Sequence, residues 1–321
     1  MNFLAGVDEA GLGPILGPLV VAGVAMTGPE GKCPWKALAK HACKQKHVKG
    51  KVRVADSKQV NQGPHGALRL EETALVFWTA LHGAIPATLE ELLAKIGVDV
   101  THLRRCPWYE NLALSLPRAA NGDWIALQAE LCARALRNAG IALVDITIRP
   151  VDVEEWNDLI ADTDNKSRAH FRAYSEVIAR LLGRVPEKFA PGAYGHLVAD
   201  RCGGRMHYAH DLRQLRPDAV VETIDEQPAV SSYRMQIAAG EVRITFAEKG
   251  ENRAFPTALA SCFAKYLREL MVEAMNQWFC ARVPGLVPTA GYYSDGHRFL
   301  GDVEPLLRDS ALPRARLVRV R

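Results

Sequence analysis

The run Gly6-Val7-Asp8-Glu9-Ala10-Gly11-Leu12-Gly13-Pro14 constrains this chain more than any other stretch. Two adjacent acids end an apolar segment that should be buried. Ionised carboxylates are tolerated there only with partners, and a metal ion is the commonest strong one. In a continuing strand the two side chains would point to opposite faces. For both to serve one site, the strand must end or twist at Glu9, and Gly11, Gly13 and Pro14 supply the break. A second apolar strand from Pro18 to Met26 predicts a hairpin with its acids near the tip. The same residues also fit a glycine-rich turn with two solvated acids, and this stretch alone leaves both readings open.

With 321 residues the chain can bury a large core, as one big domain or two smaller ones. No apolar run approaches a membrane span, and Met1 leads almost directly into a strand with no basic-then-apolar signal. A cytoplasmic protein is expected, with no membrane association. Seven scattered cysteines without a CxxC pair argue for reduced thiols and against structural zinc. A net charge of +4 is modest, so any nucleic-acid contact must come from a local concentration of charge. Lys32 to Arg53 is one, with eight Lys/Arg and no acid. Lys32, Lys36, Lys40 and Lys44 recur every four residues, which predicts a basic helical face, phosphate-binding or simply solvated.

Residues 66–140 read as mostly helical, with Thr88 and Glu91 as a capping box and Asp123 to Asn138 amphipathic; their role is structural. Ile141 to Ile148 reads as a strand and Val153 to Leu182 as helix. Gly195 to Asp200 is a short apolar strand ending in an acid. Sites gather at strand ends in α/β sheets, so Asp200 is placed like Asp8. His207 and His210 lack a third ligand and make a poor metal site. The 205–240 stretch reads as polar turns, with Ser231-Ser232-Tyr233 expected near substrate. Val242 to Ala247 is a strand, and Thr257 to Phe279 a long helix with Ser261, Lys265 and Glu269 on one polar stripe.

The stretch GVDEAGLGPILGPLVVAGV resembles the opening motif of the type 2 ribonucleases H (ribonuclease HII and HIII), close to G-x-D-E-A-G-R-G-P followed by G-P and an apolar strand. Leu12 stands where that motif usually has Arg. Further elements resemble the family in order. Asp56-Ser57-Lys58 matches its D-S-K, Gly195 to Asp200 its third acidic strand, and Lys249-Gly250-Glu251 its K-G-D/E. Thr257 to Glu269 is similar to A-A-A-S-I-x-A-K-x-x-R-D, with Glu269 in the Asp position. Gly291 to His297 is similar to G-Y-x-T-x-x-H, with Tyr292 at the tyrosine that packs on the sugar.

The resemblance implies a ribonuclease H-like α/β fold: a mixed central sheet of about five strands flanked by helices, with a C-terminal helical segment and helical insertions. It implies a catalytic domain over 1–284, with insertions at about 28–54 and 62–140, and a segment 285–321 completing the cleft. Asp8, Glu9, Asp200 and Glu269 are then the catalytic acids and metal ligands. Four hard oxygen donors suit two Mg²⁺ or Mn²⁺ ions. Gly11, Leu12, Gly13, Ser57, Lys58, Lys249 and Tyr292 are the expected substrate-binding residues.

The implied activity is hydrolysis of the RNA strand of an RNA/DNA hybrid by a two-metal-ion mechanism, leaving 5′-phosphate and 3′-hydroxyl ends, by a monomer. Ribonucleotide-containing DNA is the related substrate, and Leu12 is expected to weaken incision at a single embedded ribonucleotide. The alternatives are a non-catalytic hybrid-binding protein and a junction-resolving nuclease on the same architecture.

Overall fold

The computed structural model describes residues 1–46, 48–310 and 312–320. The paired apolar runs at the start form the expected antiparallel hairpin: β1 (Asn2–Ala10) pairs with β2 (Leu19–Gly28), with Asp8 opposite Ala22 and Ala10 opposite Val20. Five further strands join them: β3 (Ala142–Val151), β4 (Gly195–Asp200), β5 (Val220–Gln227), β6 (Val230–Ile237) and β7 (Gly240–Ala247). The sheet order is β3-β2-β1-β4-β7-β6-β5. The central β1, β4 and β7 are mutually parallel and the outer pairings antiparallel, so the sheet is mixed.

Seven strands replace the expected five or so because the 205–240 stretch contributes β5 and β6, not polar turns. β5 is an edge strand whose side chains are mostly exposed, so it carries little of the alternation that marks a half-buried strand.

The principal helices are α1 (Gly66–His82), α2 (Gly122–Asn138), α3 (Val153–Thr163), α4 (Lys166–Leu182), α5 (Phe255–Cys280) and α6 (Tyr293–Asp309). The helical stretch expected from Val153 to Leu182, with Ser167 to Leu182 packed on the sheet, forms as two helices. Asp164 adopts a left-handed φ of 44°, and Asn165 then caps α4 by accepting from the Arg168 amide. Strand alternation sorts the apolar residues into two cores. Val20, Ala22 and Val24 join α1, α2, α5 and α6 on one face. Phe3, Ala5 and Val7 join α3 and α4 on the other.

The Lys32–Arg53 stretch does not form a basic helix. It makes a single turn (Pro34–Ala37) and two short parallel strands, Ala42–Cys43 and Val52–Arg53. Trp35 overrides the weak local pattern: its ring packs edge-on against Phe255 and its indole N–H donates to the Val54 carbonyl. Lys44 folds over Trp35 and donates to the Asn252 carbonyl at 2.8 Å, while Lys32, Lys36 and Lys40 remain exposed. His47 in this stretch and Arg321 in the basic tail lie outside the described residues. Among the described residues, no helix is long and apolar enough to cross a membrane.

The contact that fixes the site is between β1 and α5. A Cβ on Gly6 would lie 2.1 Å from the Thr257 amide nitrogen, so only glycine lets strand and helix backbones meet there. Thr257 secures the approach by donating its hydroxyl to the Val198 carbonyl of β4 at 2.7 Å.

Candidate metal centre

Asp8 and Asp200 meet because their strands are parallel neighbours in register. Val7 pairs with Ala199, so the two acids stand side by side at the carboxyl ends of β1 and β4. Alternation directs Asp8 toward α5, and Glu9 toward α4 on the opposite face. Of the two ways the sequence allowed, an end or a twist at Glu9, the strand does not take the first; β1 continues to Ala10, still paired with β2. It is β4 that stops, at Asp200, and the space beyond its end lets the Glu9 carboxylate reach the same point. One ligand oxygen from each of Asp8, Glu9 and Asp200 lies within 4.8 Å of the others.

Each acid has its own support. The Asp8 carboxylate accepts from the Glu9 amide at 2.7 Å, and Ser261 of α5 lines the cleft beside it. Ser261 is positioned by the Gly6–Thr257 contact one turn earlier on α5, and it also bonds the backbone and hydroxyl of Ser57. Asp56 caps the Ser57–Val60 turn by accepting from the Lys58 amide, which leaves the Lys58 side chain on the cleft rim.

Asp200 accepts from the Gly250 amide at 3.0 Å. A Cβ on Gly250 would press 3.2 Å from the backbone of Asp200 and from the Ala199 carbonyl oxygen, which explains the glycine in the Lys249-Gly250-Glu251 element. Glu9 accepts a short hydrogen bond from the Tyr174 hydroxyl of α4. His170 Nε2 lies 3.9 Å from Glu9 but is buried without a hydrogen-bond partner among the described residues. Burial, with Arg319 nearby, holds its imidazole down to about 3, so the ring is neutral.

Three carboxylates this close cannot all ionise cheaply. Burial is the main cause that raises all three, with the mutual repulsion of neighbouring acids adding to it. Asp8 is raised well above the ordinary carboxylate range, Asp200 is raised, and Glu9 is lifted to about 7 despite the Tyr174 bond. The cleft has a volume of ≈ 420 Å³, and Lys58 and Lys249 reach it beside the acids. Only hard oxygen donors converge, a set that fits Mg²⁺ or Mn²⁺ and offers nothing soft enough to prefer zinc.

The other expected site residues fall in two places. Ser57, Lys58 and Lys249 line the same cleft. Gly11, Leu12 and Gly13 form the turn beyond β1, and Tyr292, 49% exposed, stands beside it with its ring 5.9 Å from the Arg268 guanidinium. Leu12 does not project as a polar probe. It packs against the core layer that contains Trp156 and Tyr174.

Glu269 is not part of the three-acid group. It pairs with Lys265 at 2.6 Å and Arg268 at 3.4 Å, eight residues beyond Ser261, or about 12 Å along the helix axis. Ser231 and Ser232, expected near substrate, are buried. Ser231 donates to the Met206 carbonyl and Ser232 shares a bond with Thr245. His207 pairs with Glu226 and joins no metal-ligating group among the described residues.

The sequence gives no sign of Tyr174, and it marks Ser261 and Glu251, which both line the cleft, only as part of a polar helix stripe and of the K-G-D/E element. Ser261 and Glu251 lie inside recognised motif segments; Tyr174 has no local signal.

No family model matches the chain, and no curated protein does. Among solved structures, the chain is similar to RNase HII from Archaeoglobus fulgidus, determined in complex with PCNA, at 18% identity and a TM-score of 0.43, covering 99% of this chain and 94% of that one. It is similar to ribonuclease H2 from Pyrococcus horikoshii OT3 at 15% identity and a TM-score of 0.38, covering 98% and 92%. It is also similar to Bst-RNase HIII in complex with Mn²⁺ at 12% identity and a TM-score of 0.40, covering 99% of this chain and 66% of that one. The solved structures to which the chain is similar are thus ribonucleases H of type 2, at low identity.

Proposed function

We propose that this chain is a metal-dependent endoribonuclease that hydrolyses the RNA strand of RNA/DNA hybrids, leaving 5′-phosphate and 3′-hydroxyl ends. The observation that carries the reading is the convergence of Asp8, Glu9 and Asp200 at the ends of two parallel strands, with Lys58 and Lys249 on the rim.

Asp8, Glu9 and Asp200 would hold Mg²⁺ or Mn²⁺, which when bound supplies an activated water and charge stabilisation at the leaving oxygen. The chain's own groups prepare that site. The Glu9 amide, the Gly250 amide and Tyr174 each fix one carboxylate, so little reorganisation is left for the reaction. Lys58 and Lys249 draw phosphate toward an otherwise acidic cleft. The Gly11–Gly13 turn and Tyr292 contact the ribose, whose 2′-hydroxyl distinguishes RNA from DNA. Glu269 would join the residues that hold the ions only by leaving Lys265.

The pairing of Glu269 with Lys265 favours one other reading, a hybrid-binding protein without catalysis. Nicking of a uniform RNA/DNA hybrid with and without Mg²⁺, for the parent and Asp8→Asn, separates the two. The nuclease reading requires metal-dependent nicking that the substitution abolishes. Hybrid binding without nicking would replace it.

A further inference from the structure

Beneath the turn that follows the acids lie two buried guanidiniums. Arg268 is 1% exposed and donates Nη2 to the Ala290 carbonyl at 3.0 Å and to the Leu16 carbonyl at 3.4 Å. Arg319 is 4% exposed, donates Nη1 to the Gly11 carbonyl, and lies 4.6 Å from the Trp156 ring. The Nε of each is buried with no hydrogen-bond partner among the described residues.

Arg319 is delivered by a strap locked at both sides. Its amide donates to the Ile15 carbonyl, Leu16 bridges to Val318, and Asn157 bonds Ala315, Val318 and Val320. Gly11 takes a φ of 96°, and a Cβ there would sit 2.5 Å from Arg268 Nε.

The charge balance at this place is unusual. Among the described residues no carboxylate pairs with Arg319, and the one acid near Arg268 is Glu269, shared with Lys265. Buried charges without counter-ions are costly, and carbonyl dipoles offset only part of that cost. Holding the turn's carbonyls explains the hydrogen bonds but not the charge, since a neutral donor could make them. The charge makes sense beside a visiting anion. The chain runs from the carboxylates through the turn to Ile15 and Leu16, whose amides donate to the Gly291 carbonyl next to Tyr292, so a strand that engages both ends passes the turn.

We propose that Arg268 and Arg319 form a buried cationic brace that holds the Gly11–Gly13 turn in the shape that receives a phosphodiester strand, with Arg319 supplying from behind the turn the positive charge that Leu12 does not present. Arg319 is in this sense a positioning residue, and its role toward substrate rests on the hybrid-cleaving reading above.

The test combines amide hydrogen exchange at residues 11–16 with binding of a labelled RNA/DNA hybrid in EDTA, for the parent, Arg319→Gln, Arg319→Lys and Arg319→Gln with Leu12→Arg. For Arg319→Gln, which keeps a donor but loses the charge, exchange rises, hybrid affinity falls about tenfold and the salt slope shallows. Arg319→Lys keeps the charge and stays within about threefold of the parent, and Leu12→Arg restores most of the loss. If Arg319→Gln does not fold, the Lys variant decides, and an affinity loss matching removal of the charge overturns the proposal. Unchanged exchange overturns the brace. Raised exchange with unchanged affinity overturns its substrate role alone. A parent that binds no hybrid, with exchange still raised in Arg319→Gln, overturns the substrate role by way of the nuclease reading and leaves the brace structural.

Discussion

The two ends of one short segment carry opposite charge imbalances. At Asp8 and Glu9 three carboxylates converge, and among the described residues none of them is in an ion pair with Lys or Arg. A few residues later, buried Arg319 and Arg268 donate to the Gly11 and Leu16 carbonyls. The same helix serves both places: Ser261 lines the cleft beside Asp8, and two turns on Arg268 donates to the Leu16 carbonyl just past the turn. Neither group is balanced by the protein alone. A divalent cation at one and a phosphate at the other would balance both, and a metal-bound phosphodiester brings the two together.

The sharpest way to break the comparison is at the acidic end. Asp8→Asn should reduce single-turnover cleavage by about 10³-fold or more, since it removes a ligand that the other two acids cannot replace. The same substitution should raise the melting temperature of the metal-free protein by relieving like-charge repulsion. A variant that is inactive and also less stable would mean the carboxylate was structural.

Gly250→Ala leaves every acid in place but pushes a methyl against the Asp200 backbone. A displacement of a few tenths of an ångström should lower kcat roughly tenfold to a hundredfold with KM little changed. Equal kcat would show that Asp200 does not need this support.

Metal-free stability should depend on pH in a definite direction. Glu9 has its folded value raised from the ordinary 4.5 to about 7, so between these values the folded protein holds more protons than the unfolded chain. Stability therefore falls as pH rises through that window, by an amount on the order of 3 kcal/mol. Melting curves from pH 4.5 to 7.5 with and without Mg²⁺ check this: the ion should remove most of the fall.

The smallest effect is expected at Leu12→Arg. Cleavage of a continuous hybrid should change less than about threefold, while incision at a single embedded ribonucleotide increases severalfold. Efficient cutting at a lone ribonucleotide by the parent, unchanged by the substitution, would show that the turn needs no arginine at its surface.

The acidic end was largely legible in the sequence, and the basic end was not. Asp200 ends one apolar strand and Asp8 lies two residues from the end of another, a local pattern that points to buried charge at strand ends. Their meeting follows from parallel pairing of those strands. Glu269 had the right motif position but its partners lie along its own helix, and no spacing reveals which neighbour a long side chain chooses. Tyr174 and Arg319 reach β1 and its turn across 165 and 308 residues, with ordinary residue types and no motif around them. Such contacts are written in tertiary packing alone. The β5–β6 hairpin was missed for a different reason: its outer strand is mostly solvent-exposed and lacks the apolar period.

The central claim is that Asp8, Glu9 and Asp200 form a divalent-cation site, and Mn²⁺ titration by calorimetry at neutral pH tests it most directly. The account predicts saturable binding that releases protons and is lost in both Asp8→Asn and Asp200→Asn. Undiminished Mn²⁺ binding by those two folded variants, or none by the parent, would contradict it.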